Sequence, residues 1–218
     1  MLLHERAPDA LNPLLDIPDL ASEFPGARNW LPNHLLNMGV RSKFDVERRR
    51  LFLAIIRRTA HALTHFAAAR EFTLRYARWD CSGAIPATQY FGAIEGWENC
   101  LLQYQILIAV MNDYGDSWRA YQRNDGSRAE RMCEMANCVK HATSQELTPL
   151  WLEADGIAAL GSYRVSYLEI ADELRDACSL AEGLVDPTAF LTEVREKRKG
   201  RDVHSNVSDP PSPNLGVS

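Results

Sequence analysis

The chain has 218 residues, of which 46% are hydrophobic and 24% charged, a composition that is ordinary for a globular protein with its own core. Its longest apolar run, residues 106–111, is too short to span a bilayer, and its acidic, proline-interrupted start does not resemble a signal peptide. The five cysteines are an odd number and form no C-x-x-C pair, so we predict a reduced, cytoplasmic protein, and the short apolar run predicts no membrane partner. The net charge of the chain is −5.

Positive charge is concentrated in residues 41–78, which contain ten Lys or Arg and three Asp or Glu. This segment therefore carries +7, and the remainder of the chain carries −12. A basic helix on an acidic protein either binds a polyanion or pairs with the acidic surface of its own chain, and the sequence leaves both open. Arg57 and Arg58 are the candidate nucleic-acid-binding residues of this segment.

The first elements in chain order are an arm and a long helix. Residues 1–40 contain five prolines, which predicts a proline-rich arm of short helical turns lying on the main body. A long amphipathic helix is predicted from about residue 45 to about residue 79. His61 and His65 have the i, i+4 spacing that can clamp a metal, but Ala62 replaces the glutamate of a zinc-protease motif. We therefore predict two surface histidines and no metal site.

A second long helix is predicted over residues 87–113, and two polar residues, Glu98 and Gln105, interrupt its apolar stripe. Burying a lone charge is costly, so Glu98 must be protonated, hydrogen-bonded or paired with a cation. Two interpretations stay open. Glu98 is either a carboxylate that takes part in catalysis or a structural partner for a buried Arg, Tyr or Trp.

The most informative stretch opens at Ser127, which forms a predicted capping box with Glu130 and starts a helix that ends near residue 142. The apolar face of this helix consists of Met132, Met135, Ala136 and Val139. Glu134, Asn137 and His141 lie on the opposite side, so a carboxylate, an amide and an imidazole are predicted to point together away from the core. The alternative is an ordinary helix C-terminus, where His141 interacts favourably with the last carbonyls.

The remaining elements are a hairpin and a bundle helix. Extended runs at residues 150–152 and 163–165, separated by glycine-containing turns, predict a small β-hairpin. A second capping box at Ser166 and Glu169 opens a helix whose apolar seam runs to about residue 185, the pattern of a bundle helix.

The predicted division of the chain has three parts. Residues 1–40 form the arm, and residues 41–199 form a helical bundle that includes a last short helix to about residue 199. Residues 200–218 are rich in Ser, Asn, Pro and Gly and are predicted to be a disordered tail. The sequence contains no glycine-rich phosphate loop, no G-x-S-x-G, no H-E-x-x-H and no spaced Cys/His zinc set, so we predict no cofactor.

The order of these motifs resembles that of HEPN domains. The similarity rests on residues 137–141, Asn-Cys-Val-Lys-His, on Trp151 in a Pro-Leu-Trp-Leu run, and on the preceding helix with Glu98. It covers about residues 45–185 by layout and residues 127–152 at the level of motifs. The resemblance implies a dimerising α-helical bundle, related to metal-independent ribonucleases of RNA-processing, toxin–antitoxin and phage-defence systems.

The family's catalytic motif is an arginine, four to six residues, and then a histidine, with asparagine common in second place. What the resemblance implies is that Asn137 and His141 match the family's asparagine and histidine, whereas Glu134, Met135 and Ala136 hold the positions allowed for the arginine. RNA cleavage needs an acid or base and a cation for the charged phosphorane. His141 could act as the acid or base. Lys140 is the nearest cation, but it points about 100° away from His141 around the helix.

The sequence therefore predicts an all-α fold, a four- to five-helix bundle with a small β-hairpin insertion. The leading functional prediction is a HEPN-like accessory or RNA-interacting module without catalysis, acting as a homodimer or with RNA or protein partners. The first alternative is a metal-independent endoribonuclease that uses His141, Asn137, Glu134 and Glu98, with an arginine from elsewhere. The second is a structural adaptor whose exposed Trp and Met residues meet a protein. Candidate RNA contacts are Arg57, Arg58 and Lys140.

Overall fold

Helices dominate the computed structural model, which describes residues 15–78, 87–114, 124–142, 149–159 and 163–187. The helices are α1 (Leu20–Glu23), α2 (Ala27–Leu36), α3 (Met38–Lys43), α4 (Val46–Ala77), α5 (Ala87–Tyr114), α6 (Arg128–Lys140) and α7 (Tyr167–Val185). Three short strands, β1 (Leu150–Leu152), β2 (Gly156–Ala159) and β3 (Arg164–Ser166), lie between α6 and α7. The predicted all-α class with a small β insertion is confirmed. The predicted helix after residue 187 and the predicted tail lie outside the described residues.

The two longest helices, α4 and α5, pack against each other in opposite directions. Their contacts run in reverse order along the two helices, from Tyr76 against Tyr90 to Phe66 against Trp97. The Trp97 indole N–H donates a hydrogen bond to the Thr73 hydroxyl at 3.0 Å, and the ring stacks on Tyr167 of α7. Trp97 therefore joins α4, α5 and α7 at one point of the core.

The apolar faces predicted from periodicity are largely buried. In α7 every residue of the predicted seam is buried except Val185, which is half-buried. In α5 the predicted stripe was wrong at two positions, because Phe91 and Ala109 are exposed. Helix α5 has neighbours on several sides, so helical periodicity alone does not identify every residue that faces solvent.

The N-terminal ends of α6 and α7 are capped differently. Both halves of the predicted capping box are present at Ser166 and Glu169. At α6 the Ser127 hydroxyl accepts the Glu130 backbone N–H at 3.1 Å, as predicted. The return bond is different, because the Glu130 carboxylate accepts the Gly126 N–H at 2.7 Å, and Asp125 takes the Ser127 N–H. The preceding turn offers its own N–H groups to Glu130, so only half of the predicted box forms.

The sheet contains one strand more than the predicted hairpin. Strands β1, β2 and β3 are antiparallel in sequence order, and β2 begins at Gly156, which the sequence had placed in a turn. A Cβ atom at Gly156 would lie 2.3 Å from the Val165 carbonyl oxygen, so the missing side chain lets β3 approach. The β2 segment, Gly-Ile-Ala-Ala, is buried throughout and has no polar alternation, which is why its pattern did not indicate a strand.

Residues 15–43 pack against the bundle and share its core. Ile17, Leu20 and Trp30 are buried in the same apolar cluster as α4 and α7. The Arg70 Nε–H donates to the Ile17 carbonyl oxygen at 2.7 Å. The ten-residue helix α2 continues through Pro32 and is longer than the short turns predicted from the proline density. Tertiary contacts with α4 and α7 offset the backbone hydrogen bond that proline cannot donate.

We expect the stability of the fold to decrease in mild acid because of His34. This side chain is buried, its Nδ1–H donates to the Leu184 carbonyl oxygen at 3.0 Å, and burial lowers its pKa. The unfolded chain therefore binds a proton more readily, and the free energy of unfolding should fall as the pH drops through about 6.5, the pKa of an exposed histidine. Urea titrations between about pH 8 and about pH 5 measure this slope. An identical slope in His34→Gln would contradict the assignment to His34.

Candidate functional site

The candidate residues lie on three helices. Arg57 and Arg58 are on α4 and Glu98 is on α5. Glu134, Asn137 and Lys140 are on α6, and His141 is the residue that caps the C-terminal end of α6.

The amide of Asn137 is held between α6 and α5. Its Nδ2 donates to the Glu134 carboxylate at 3.3 Å, and its Oδ1 accepts a hydrogen bond from the Gln105 Nε2 of α5 at 2.7 Å. Gln105 Nε2 also donates to the Cys133 carbonyl oxygen at 3.1 Å. Asn137 is half-buried and directed towards α5, so the prediction that it points away from the core was wrong. The amide helps to join the two helices.

Gln105 is the polar residue of this cluster that sequence reasoning left without a role. A polar residue within an apolar stripe indicates a buried hydrogen bond. Its partner, Asn137 of α6, is 32 residues away in sequence and could not be identified from the stripe alone. The Gln105 Oε1 is buried and has no hydrogen-bond partner in the part of the chain that the structure describes. The amide therefore serves mainly as a donor to α6.

His141 is exposed, as the predicted site requires. Its backbone N–H donates to the Asn137 carbonyl oxygen at 3.0 Å and closes the last turn of α6, and Lys140 beside it is also exposed. No described residue forms a hydrogen bond with the imidazole ring. This geometry agrees with the helix C-terminus interpretation and also leaves the ring accessible to a ligand.

Two arginines that lie near this cluster, Arg58 and Arg131, form bonds to residues other than Asn137 and His141. The Arg58 guanidinium donates to Gln103 Oε1 at 2.9 Å. Because Gln103 and Gln105 are two residues apart, about 200° around α5, Arg58 and Asn137 meet opposite sides of that helix. Arg131, on α6 itself, pairs with Glu169 of α7 at 2.5 Å.

The other arginine of α6 also pairs with α7. Arg128 contacts Glu173 at 3.1 Å and Asp172 at 3.2 Å. A cation for a ribonuclease site at His141 is therefore not supplied by Arg58, Arg128 or Arg131 of the same subunit.

Glu98 is a half-buried carboxyl group whose pKa is raised, first by its burial and second by the charge of Glu95. No described residue donates a hydrogen bond to it or forms an ion pair with it. Gln105 is seven residues further on, which places it on the same face of α5 but about 10 Å along the helix axis. The Glu98 carboxyl and the Asn137 amide therefore do not form one compact site.

The basic segment begins with seven cations within residues 41–58, on α3 and the first part of α4, and we call this set the basic edge. They are Arg41, Lys43, Arg48, Arg49, Arg50, Arg57 and Arg58. None of them forms an ion pair with any residue in the described ranges, although Arg58 donates to a glutamine. The pKa of neighbouring His61 is lowered, first by its burial and then by the charges of Arg57, Arg58 and His65. Within the described residues, the basic edge is therefore positive charge that no carboxylate pairs with.

Ion pairs between elements of the described structure concentrate on α7 instead. Arg175 pairs with Glu23 of α1 at 2.6 Å, beside the contacts of Arg128 and Arg131, and it also pairs with Asp172 within α7 at 2.7 Å. Further along α4, Arg70 approaches Asp19 at 3.9 Å and Arg75 pairs with Glu71 of the same helix. Self-neutralisation, one of the two interpretations left open by the sequence, is thus present at the end of α4, and the ranges that the structure describes contain no such pair at its start.

The surface expected for an adaptor is only partly present. Trp30, Trp97, Met132 and Met135 are buried, and Trp151 is half-buried, so exposed tryptophans do not form a docking face among the residues described. These side chains are buried because their large apolar area packs in the core of the bundle. Met38 is an exception, because it is exposed near the basic edge.

Two further observations limit the kinds of site. Among the described residues no helix has both the length and the apolar character needed to cross a bilayer. In the same ranges no three His, Cys, Asp or Glu side chains are grouped so as to hold a metal ion, so His61 and His65 have no third ligand there.

Comparisons with protein-family models, with curated proteins and with solved structures found no match to this chain. The resemblance to HEPN domains therefore stays a prediction from motif and layout.

Proposed function

We propose that this chain is a non-catalytic, RNA-interacting helical module and that the basic edge contacts the phosphates of RNA. The observation that carries the proposal is the set of seven cations within residues 41–58 that no carboxylate in the described structure neutralises. Uncompensated Lys and Arg attract a polyanion and gain affinity from the counterions that it releases. The resemblance to HEPN domains supports RNA as the polyanion and a defence or toxin–antitoxin system as the setting.

The non-catalytic part of the proposal rests on the surroundings of His141. The Asn137 amide bonds to Glu134 and Gln105, and the two arginines of α6 bond to carboxylates of α7. A ribonuclease needs a cation that stabilises the phosphorane in addition to an acid or base. In a homodimer the second subunit would have to supply that cation. The exposure of His141 is the observation that favours the endoribonuclease alternative.

RNA binding should be strongly salt-dependent and should weaken in Arg57→Glu. Arg57 is exposed and its side chain forms no hydrogen bond or ion pair with any residue that the structure describes, so its reversal should remove the proposed phosphate contact without disturbing the fold. The slope of log affinity against log salt should decrease by about 1. Fluorescence anisotropy with a labelled single-stranded RNA at several salt concentrations measures it.

The matched control is Arg78→Glu, at the C-terminal end of α4 and about 30 Å along the helix axis. It changes the charge equally and should leave the slope nearly unchanged. Equal effects of the two substitutions, or no RNA binding, would overturn the proposal and leave the adaptor alternative. The RNA should stay intact in EDTA, and cutting that His141→Ala abolishes would establish the endoribonuclease instead.

A further inference from the structure

A groove of about 250 Å³ opens where α2, α3 and the start of α4 meet. Its apolar walls are formed by Leu35, Val40, Val46 and Leu53. Three arginines line the same groove, Arg41, Arg49 and Arg50. The groove therefore combines an apolar recess with positively charged side chains.

The walls of this groove are held by bonds to α7, so the recess exists before any ligand arrives. His34, which also lines the groove, bonds to the Leu184 carbonyl oxygen. Asn37, between α2 and α3, donates from Nδ2 to the Val185 carbonyl oxygen at 3.1 Å and accepts the Gly39 N–H at 2.9 Å. A preformed recess costs a ligand little ordering free energy.

Two apolar residues of the groove stay partly exposed, and its arginines form no ion pair with any described residue. Val46 is 53% exposed and Leu35 is 46% exposed, although both are apolar. Arg49 donates from Nε to the Asp45 carbonyl oxygen at 3.3 Å, and no carboxylate pairs with Arg41, Arg49 or Arg50. The complementary ligand has carboxylates for the guanidinium groups and an apolar side chain for the recess.

We propose that this groove binds an acidic peptide segment of a partner protein, with one large apolar side chain in the recess and flanking carboxylates on Arg41, Arg49 and Arg50. A peptide satisfies both halves of the groove, whereas an RNA backbone offers phosphates without an aliphatic side chain to bury. Peptide recognition of this kind joins an apolar anchor with charge-assisted hydrogen bonds. The proposal does not depend on the RNA contact at Arg57.

Selection of random peptides of about twelve residues, displayed on phage, against the full chain tests the ligand chemistry without assuming a sequence. The enriched peptides should combine Asp or Glu with a Leu, Ile, Met or Phe. A synthetic copy of the most enriched peptide is then titrated against variants. Val46→Ser and Arg50→Glu should each weaken its binding about tenfold.

The control is Arg48→Glu, which is exposed on the same turn of α4 but does not line the groove. It should change peptide affinity much less than Arg50→Glu, and thermal melting should show that all three variants fold. Three results would overturn the proposal: selection without an acidic and apolar pattern, equal losses at Arg48 and Arg50, or binding insensitive to Val46→Ser. The last two would indicate polyanion attraction alone. Arg41, Arg49 and Arg50 also belong to the basic edge, but the RNA proposal has its own test at Arg57, so failure of one proposal can be told from failure of the other.

Discussion

Trp97→Ala should lower the free energy of unfolding by about 3–5 kcal/mol, the usual cost of truncating a large buried aromatic side chain. The Trp97 ring is fully buried, lies 5.2 Å from the Tyr167 ring and 5.4 Å from the Phe66 ring, and joins three helices. Truncation leaves a cavity and removes the donor to the Thr73 hydroxyl. Urea denaturation followed by circular dichroism measures the loss, which corresponds to a decrease in Tm of about 6–20 °C.

Trp97→Phe separates the two contributions to this loss. Phenylalanine retains an aromatic ring but cannot donate to Thr73, so the expected cost is smaller, about 1–2 kcal/mol. If the alanine and phenylalanine variants were equally unstable, the hydrogen bond would outweigh the packing of the ring. A Trp97→Ala variant as stable as the wild type would contradict the described junction of α4, α5 and α7.

Gly96→Ala should destabilise the chain by about 2 kcal/mol, although alanine is the better helix former. A Cβ atom at Gly96 would lie 2.8 Å from the Ala69 Cα atom and 2.9 Å from the Ala69 nitrogen. Both atoms belong to the backbone of α4, so relief requires the two longest helices to separate along their shared face. Thermal melting and urea titration of the variant measure the effect.

Gly92→Ala is the matched substitution, one turn earlier on α5. Its Cβ atom would lie 2.9 Å from the ring of Phe72, a half-buried side chain that can turn aside. The gain in helix propensity, about 1 kcal/mol, should largely offset this contact. Equal destabilisation by the two substitutions would show that the close backbone approach at Gly96 is not the cause.

Interactions within one helical turn could be predicted well from the sequence. The capping box at Ser166 and Glu169 and the apolar seam of α7 were confirmed. The start of α6 at Ser127 was also confirmed. These features depend on residues three or four positions apart, so the local sequence contains all the information that they need.

The candidate site was predictable only in part. The sequence predicted that His141 is exposed, because it follows the last turn of α6 on the side opposite the apolar face. The direction of Asn137 did not, because its partner Gln105 belongs to another helix and the register between α5 and α6 depends on core packing. The partners of Glu130 also differed from the prediction, since the preceding turn presents its own N–H groups to the carboxylate.

By itself the sequence determined the helical class, most helix limits and the segregation of positive charge into residues 41–78, because periodicity, caps and charge are local properties. Only the tertiary structure decided which charges pair among the described residues, since an ion pair such as Arg175 with Glu23 joins residues 152 positions apart. It also decided that an apolar recess lies beside Arg41, Arg49 and Arg50, because that recess exists only when α2, α3 and α4 pack together.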